Sequence, residues 1–340
     1  MKAFRNSSLR SRRLPAVDLL SIVPAALVSF AVVAIALPPR SGPLALVLVL
    51  EPQIFIAVLL MLTPFALLAR SRLLGAALAV TLIAGGGFFG SEWVSLPGSG
   101  AGRHDLAAMT WNLEYGTRTP AETVSALKAV NVDLIALQEI EPEVSEAVAA
   151  DAAMASRYPY RAMAPRPGAL GLAILSRYPV EKVDSDDNPA RLELVVATPR
   201  GPIRVINGHP MLATIGTSWL LPLLPDFDPS DRDAAIAKIR EWIDPALSGG
   251  ERLLVLGDFN TTPSESEYKV LTAGLRDTHV EVGEGPGWTW RPGRLAFLNV
   301  AFLRIDLQLS AGPIRPASTS LDCSLPGDHC RLFGDYQIDA

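Results

Sequence analysis

The stretch Arg252-Leu-Leu-Val-Leu-Gly-Asp-Phe-Asn260 decides how the rest of the chain is interpreted. An apolar run stops at a glycine and is followed by a carboxylate and a carboxamide two residues apart. If residues 253–256 form a buried strand, the side chains of Asp258 and Asn260 lie on one face at its end. The pair suits a hydrated divalent cation or a phosphoryl group, because Asp supplies charge while Asn can donate and accept hydrogen bonds. Alone, the stretch fits an ordinary strand and Asx turn equally well.

Polar side chains recur at the ends of other apolar runs between residues 106 and 340. The residues with this placement are Asn112, Glu139, His209, Asp258, Asn260, Asp328 and His329, and Asp306 lies inside a further predicted strand. We expect these acid, amide and imidazole groups to meet at a common rim. Oxygen-rich ligands without clustered cysteine or histidine favour Mg²⁺ or Mn²⁺ over zinc. The sequence has no nucleophile elbow, phosphate loop or dinucleotide fingerprint, so metal-assisted hydrolysis of a phosphate ester is the predicted chemistry.

Apolar and polar residues between 106 and 340 alternate in a pattern that fits one α/β domain. The predicted strands are residues 106–111, 132–137, 171–176, 192–197, 203–206, 253–256, 288–290 and 302–309, and the predicted helices are residues 120–130, 143–154 and 231–243. Residues 211–229 form an apolar, proline-bearing loop that contains Trp219. We favour packing of this loop against the core, with a lid over an amphipathic substrate or a membrane-resting surface as alternatives.

Seven short motifs, taken together in their order and spacing, resemble one known family. They are Thr110-Trp-Asn112, Leu137-Gln-Glu139, Ala173-Ile-Leu-Ser-Arg177, Asn207-Gly-His209, Gly257-Asp-Phe-Asn260, Arg304-Ile-Asp306 and Asp328-His329. The set resembles the endonuclease/exonuclease/phosphatase superfamily, which includes deoxyribonucleases, apurinic endonucleases and sphingomyelinases. This resemblance implies a four-layer α/β sandwich, in which two mixed β-sheets pack face to face and are flanked by helices.

The resemblance also implies which of the matching residues would hold the metal. Glu139 would be the principal ligand of Mg²⁺ or Mn²⁺, and Asn112 and Asp328 would complete or support the metal shell. The substrate would be a phosphate ester, which could be nucleic acid, phospholipid or a small phosphoester. Attack by water, without a covalent enzyme intermediate, would cleave the ester bond.

The remaining matching residues would act on the water and the phosphate. Asp258 would orient or deprotonate the attacking water, and Asn260 would hold that water or a phosphate oxygen. His329 would stabilise charge on the phosphate, while Asp306 would fix the tautomer of its imidazole. His209 would be a candidate general acid for the leaving oxygen.

The first ninety residues differ sharply from the rest in hydropathy. Residues 14–37, 43–69 and 73–90 are mostly apolar and long enough to predict three transmembrane helices, followed by a linker at 91–105 and a catalytic domain at 106–340. A cleaved signal peptide is the competing interpretation of the first segment, which arginines precede. Glu51 interrupts the second segment, and we expect it near an interface or a break in the helix rather than in a functional site.

The positive charges predict the topology and a membrane-anchored, bacterial-type member of the family. Four arginines precede the first apolar segment and two lie in the link at 70–72, so these parts are predicted to be cytoplasmic. With three helices, the catalytic domain of this multi-pass protein would then lie on the extracytoplasmic side of the cell (inner) membrane. The lipid bilayer is therefore a predicted partner, and no protein partner can be inferred.

Charge and cysteine content narrow the possible functions of residues 91–340, which are predicted to lie outside the membrane. Residues 1–90 hold 8 Lys/Arg and 2 Asp/Glu, for +6, and residues 91–340 hold 22 and 33, for −11, which sum to the net −5 of the chain. An acidic domain lacks the basic footprint of a general nucleic-acid binder, although bound metal could neutralise some carboxylates. Cys323 and Cys330 could form a disulfide in an oxidising compartment or remain as two free thiols.

Three functions are consistent with these observations. The first is a membrane-anchored, metal-dependent phosphoesterase that includes endonuclease activity among its possibilities. The second is a phospholipid or sphingomyelin-type phosphodiesterase, favoured by the acidic charge and the apolar loop. The third is a catalytically silent binding module on a membrane anchor.

His104 and His279 match no motif and are predicted to lie at the surface.

Overall fold

The computed structural model describes residues 40–69, 72–94, 104–184, 190–217, 225–293 and 300–339. The helices are α1 (Ala45–Val49), α2 (Glu51–Ala69), α3 (Arg72–Trp93), α4 (Pro120–Lys128), α5 (Pro142–Ala150), α6 (Ala152–Arg157), α7 (Ser230–Ser248), α8 (Ser266–Thr272) and α9 (Thr278–Val282). The first strands are β1 (Leu106–Asn112), β2 (Leu134–Gln138), β3 (Tyr160–Ala164), β4 (Leu172–Ser176), β5 (Val180–Asp184), β6 (Arg191–Thr198) and β7 (Gly201–Gly208). The remaining strands are β8 (Thr214–Thr217), β9 (Pro225–Asp228), β10 (Leu253–Asp258), β11 (Arg276–Asp277), β12 (Asp306–Ala311), β13 (Ile314–Asp322) and β14 (Arg331–Ile338).

Two six-stranded mixed sheets form the frame of the domain. The first has the order β13-β14-β1-β2-β4-β3, and the second has the order β11-β12-β10-β7-β6-β5. In each sheet the central pair is parallel, β1 with β2 and β10 with β7, while the other pairs are antiparallel. A separate two-stranded hairpin pairs β8 with β9.

Alternation of side chains along the strands builds three apolar layers. In β10, Leu254 and Leu256 point into the core between the two sheets, whereas Leu253 and Val255 point outward and pack against helix α7. An equivalent outer core lies between the first sheet and helices α4, α5 and α6. The two sheets with helices on their outer faces confirm the predicted four-layer α/β sandwich.

A buried carboxamide joins the two sheets where their central strands end. Asn207, on β7, donates from Nδ2 to the carbonyl oxygens of Leu137 at 2.8 Å and Ala173 at 3.0 Å, both in the opposite sheet. Its Oδ1 accepts a hydrogen bond of 2.7 Å from Gln138 Nε2 on β2. Asn207 and Gln138 are completely buried. Because unsatisfied polar groups are costly in an apolar interior, these bonds fix the position of one sheet relative to the other.

Local differences from the predicted elements have identifiable causes. The helix predicted over 143–154 is two helices, because Asp151 leaves the helical conformation and accepts a hydrogen bond from Met154 N to cap α6. The strand predicted over residues 288–290 is absent, and Trp290 alone forms isolated bridges, to Leu303 and His329. Asp306 is the first residue of β12, not an interior one. His279, predicted at the surface, is buried and bonds through Nε2 to Gly285 O.

The N-terminal helices pack against the sandwich. Phe55 of α2 contacts Phe89 and Trp93 of α3, and Trp93 in turn meets Trp288 edge-on at 6.5 Å between ring centroids. Helix α1 ends at Val49 and α2 begins at Glu51, which places Glu51 at a break in the helix, as predicted. Its side chain is buried. These contacts extend the folded unit beyond the sandwich.

The predicted membrane spans are not supported by the structure. Residues 14–37 lie outside the described residues, as do residues 95–103 of the predicted linker. The segments predicted over 43–69 and 73–90 contain helices α1 to α3, and α3 continues to Trp93. Within the part of the chain that the structure describes, no helix combines the length and hydropathy required to cross a membrane.

Asn207→Leu tests the importance of the buried link between the sheets. The substitution removes the bonds of Asn207 to Leu137 O, Ala173 O and Gln138 Nε2 and buries apolar atoms beside them, so the free energy of unfolding should fall by about 2–4 kcal/mol. Urea denaturation of the two proteins measures the difference. Asn131→Leu, at an exposed position, is the matched control and should change stability by less than about 1 kcal/mol. Equal effects of the two substitutions would contradict the assigned role of Asn207.

Candidate active site

The predicted site residues converge on one edge of the sandwich. Parallel pairing places the ends of β1 and β2 together in one sheet and those of β7 and β10 together in the other. Strand β12 runs antiparallel to β10, so its first residue, Asp306, pairs with Asp258 at the same edge. The predicted residues brought together here are Asn112, Glu139, His209, Asp258, Asn260, Asp306, Asp328 and His329.

Asn112 connects an acid from each sheet. Its Nδ2 donates to Glu139 Oε1 at 3.0 Å and to Asp258 Oδ2 at 2.9 Å, while its Oδ1 accepts from Glu114 N at 2.9 Å. Glu139 Oε2 also accepts from Tyr115 N at 3.1 Å. The two carboxylates are therefore held close together, and their mutual repulsion favours a bound cation.

His329 lies between three carboxylates. Its Nδ1 is 2.9 Å from Asp306 Oδ2, and its Nε2 is 3.5 Å from Asp258 Oδ2 and 3.8 Å from Asp328 Oδ1. Burial opposes the charged imidazolium, but Asp306 and Asp258 outweigh that effect and raise the pKa of His329 to about 10. His329 can therefore present a cationic N–H at Nε2 while Asp306 holds its other ring nitrogen.

Asp258 is completely enclosed and held by both of its oxygens. Oδ1 accepts from Asn260 N at 3.0 Å, and Oδ2 accepts from Asn112 Nδ2. Burial raises the pKa of Asp258, an effect that the neighbouring His329 partly offsets. A carboxylate with a raised pKa is a better proton acceptor than an ordinary aspartate, which suits it to activate water.

His209 faces the same acids from the second sheet. Its Nε2 is 3.7 Å from both Glu139 Oε1 and Asp258 Oδ2, which is too long for hydrogen bonds but close enough for electrostatic attraction. Its Nδ1 is buried without a hydrogen-bond partner. This ring is therefore held by fewer side-chain contacts than that of His329, and the nitrogen that it presents to the site is Nε2.

The backbone around the site is strained at three residues. Among the described residues, the only non-glycine positions with positive φ are Glu114 (50°), Glu139 (58°) and Asn260 (50°). Two of these are predicted site residues, and the third donates its backbone N–H to Asn112. Such conformations cost of order 1–3 kcal/mol each and persist where surrounding contacts enforce them. The strain indicates that the side-chain positions are tightly specified.

A buried arginine and a disulfide position the loop that carries Asp328 and His329. The disulfide joins Cys323 to Cys330 across this loop, with 4.3 Å between their Cα atoms, which resolves the two alternatives for the cysteines. Arg291 donates to the carbonyl oxygens of Cys323, Leu325 and Gly327 at 3.2, 2.6 and 2.6 Å. Arg291 was not predicted, because its role depends on carbonyl groups that carry no sequence signal.

Two further residues contact predicted site residues and were also missed. Trp290 Nε1 donates to Asp328 Oδ2 at 3.1 Å. Arg232, buried in α7, donates from Nη1 to Asn260 O at 2.8 Å and forms an ion pair of 2.7 Å with Glu265. The apolar spacing of α7 and the aromatic residues near 290 predicted secondary structure only, so neither pattern revealed these contacts.

The donor groups fit a divalent cation. Burial raises the pKa of Asp328 to about 6, and its Oδ1 is buried without a hydrogen-bond partner. Asp258, Asp306 and His329 also place one ligand atom each within 4.8 Å of one another. In this group Asp306 is already bonded to His329. That Glu139, Asn112 and Asp328 would hold the cation stays a prediction.

Comparison with known proteins gives a family and a fold. The sequence profile described as "Endonuclease/Exonuclease/phosphatase family" matches residues 109–329, about two thirds of the chain. No curated protein sequence matches this chain significantly.

Several solved structures share the fold at low sequence identity. The 3′ phosphatase NExo from Neisseria, bound to a product DNA hairpin, has a TM-score of 0.53 and 20% identity, over 69% of this chain and 100% of that one. An AP endonuclease from Archaeoglobus fulgidus has a TM-score of 0.52 and 18% identity, over 69% and 100%. TDP2 from C. elegans has a TM-score of 0.52 and 18% identity, over 82% and 92%. At these identities the likeness shows the fold alone.

Trp290→Phe tests the support that Trp290 gives to Asp328. The change keeps an aromatic ring but removes the indole N–H, so the affinity for Mn²⁺ should fall about 10–100-fold. Isothermal titration calorimetry measures this affinity directly. Trp242→Phe is the control. Trp242 lies on α7, stacks on Arg191 and does not line the cavity that contains the site acids, so its substitution should leave the affinity unchanged. An unaltered affinity in Trp290→Phe would contradict the role assigned to this indole.

Proposed function

This chain belongs to the endonuclease/exonuclease/phosphatase family, and we propose that it hydrolyses a phosphoester bond with the help of Mg²⁺ or Mn²⁺. The observation that carries the proposal is the double hydrogen bond of Asn112 to Glu139 and Asp258, which joins a cation-binding acid of one sheet to a water-activating acid of the other. When bound, the cation supplies Lewis-acid stabilisation of the negative charge that builds up on the phosphate oxygens.

The attacking water is activated by Asp258. Its raised pKa favours transfer of a proton from water to the carboxylate, and its bond to Asn260 N keeps the acceptor oriented. Asn260 itself is held by a 3.0 Å bond from Nδ2 to Pro210 O. Asn260 therefore offers Oδ1 as an acceptor to the water and the second N–H of Nδ2 as a donor to a phosphate oxygen.

The two histidines act on the phosphate. Protonated His329 donates from Nε2 to a phosphate oxygen and stabilises its charge, while Asp306 prevents rotation of the ring. His209, whose Nε2 faces the site acids, protonates the leaving oxygen. A catalytically silent binding module is disfavoured, because the eight predicted groups are all present and close together.

Glu139→Gln and removal of metal test this mechanism together. Loss of the carboxylate charge should reduce hydrolysis of bis(4-nitrophenyl) phosphate in the presence of Mn²⁺ by at least about 10³-fold. Chelation with EDTA should abolish the activity, and added Mg²⁺ or Mn²⁺ should restore it. Release of 4-nitrophenolate measures both effects.

Glu143→Gln is the matched control for this experiment. Glu143 is an exposed carboxylate on α5, so its substitution should leave the rate within about twofold of wild type. Activity that survives EDTA, or an equal loss in both variants, would refute metal-dependent hydrolysis at Glu139.

We also propose that the apolar segment at residues 14–37 holds the chain in the cell membrane, with the catalytic domain outside the cytoplasm. The apolar run at residues 14–37 supports the anchor, since its length is sufficient to cross a bilayer. The disulfide between Cys323 and Cys330 supports the outer location, because such bonds are rare in reducing compartments.

Fusion of alkaline phosphatase after Ala340 tests the location. The reporter should be active in intact cells, because it matures only outside the cytoplasm. In the same cells, Cys323 and Cys330 should resist alkylation by maleimide until a reductant is added. An inactive phosphatase, together with an active green fluorescent protein fusion at the same position, would place the domain in the cytoplasm.

A further inference from the structure

The catalytic groups occupy only one side of a larger cavity. The cavity has a volume of about 300 Å³ and contains, on its polar side, Glu139, His209, Asp258, Asn260, Asp328 and His329. The opposite side is formed by apolar side chains from α1, from the segment around β8 and β9, and from the stretch before β12. The cavity is therefore amphipathic.

Helix α1 supplies part of the apolar side. Leu46 and Val49 line the cavity and pack against the cluster of Ala45, Ala213 and Phe227, of which Ala213 and Phe227 also line the cavity. The backbone bond from Gly42 N to Phe227 O, 2.7 Å long, attaches the start of this segment to β9. Since the family match begins at residue 109, the part of the apolar side that α1 supplies lies outside the matched region.

The apolar side is incompletely buried. Met211, Leu212 and Ile215 line the cavity and keep 42%, 61% and 61% of their surface exposed, although a protein gains free energy by burying such side chains. Residues 218–224 of the predicted loop, which include Trp219, lie outside the described residues. In the described part of the loop, the expected packing against the core applies to Ala213 and Phe227 but not to these three residues. Exposed apolar groups next to a catalytic centre indicate a ligand-binding surface.

Positive charge is nearly absent from the cavity. Among its described lining residues, Arg232 is the only Lys or Arg, and its guanidinium already contacts Asp233, Glu265 and Asn260 O. Residues 91–340 carry a formal charge of −11. A nucleic acid requires several basic groups along its phosphates, whereas a single phosphoester with a hydrocarbon group requires only the catalytic centre and an apolar wall.

We propose that the substrate is an amphipathic phosphodiester whose hydrocarbon chain lies against Leu46, Val49, Met211, Leu212 and Ile215 while its phosphate occupies the catalytic centre. The proposal rests on the phosphoesterase function proposed above and assigns its substrate class. It also gives helix α1 a direct role in substrate recognition.

A homologous series of alkyl 4-nitrophenyl phosphodiesters, from methyl to octyl, tests this substrate class on the full chain below micellar concentrations. Burial of each methylene is worth about 0.8 kcal/mol, so kcat/KM should rise about threefold to fourfold per methylene until the wall is covered. The octyl-to-methyl ratio of kcat/KM should exceed about 100. A single-stranded oligonucleotide with a 4-nitrophenyl phosphodiester end serves as the competing substrate.

Substitutions on the wall localise the effect. Leu212→Ser and Val49→Ser should each reduce the octyl-to-methyl ratio at least about fivefold, since each removes apolar contact area. Leu50→Ser and Val270→Ser are matched controls, because both residues are apolar and exposed, at 37% and 47%, but do not line the cavity. Neither control should change the ratio.

The possible outcomes separate this proposal from the proposed function. A measurable methyl activity with no dependence on chain length, or a faster reaction with the oligonucleotide than with the octyl ester, overturns the amphipathic substrate but leaves the phosphoesterase intact. Absence of Mn²⁺-dependent hydrolysis for the whole series overturns both. Equal ratios in wall and control variants overturn the assigned location of the chain.

Discussion

The site depends on the buried hydrogen bonds that cross between the two β-sheets. Apolar contacts between sheets are non-directional and allow sliding, whereas Asn207 can satisfy Leu137 O, Ala173 O and Gln138 in only one relative position. That position brings the end of β2 opposite the ends of β7 and β10. Asn112 can then reach Glu139 in its own sheet and Asp258 in the other, so the proposed cation binding and water activation share one geometry.

The sandwich and most of the catalytic groups could be predicted from the sequence, because strand ends carry a local pattern. The apolar run before Asp258 both defines a strand and shows where it stops, and the same holds for Asn112 and Glu139. The supporting residues could not be predicted in this way. Arg291 recognises backbone carbonyl oxygens, and every residue offers the same carbonyl. His279 looked like a surface residue because burial depends on contacts that distant segments provide.

The apolar side of the cavity could not be predicted from the sequence either, because it is formed by residues that are far apart in the chain. Leu46 and Met211 are far apart in the chain, and each belongs to a segment whose hydropathy has another plausible explanation, a membrane helix for one and core packing for the other. Only their meeting beside Asp258 and His329 connects both with the proposed substrate. Leu46 and Val49 also pack against Ala213 and Phe227, so α1 belongs to the wall of the cavity whatever the hydropathy of its segment.

The position of helix α1 matters for experiments on truncated fragments of the protein. A fragment that begins near residue 91 retains all the catalytic groups and is the natural choice for a soluble preparation. It loses Leu46 and Val49, together with the contacts of Phe55 and Phe89 that hold Trp93 against Trp288. Such a fragment would retain the chemistry but show altered selectivity, and a substrate screen performed on it would describe the excised domain rather than the intact enzyme.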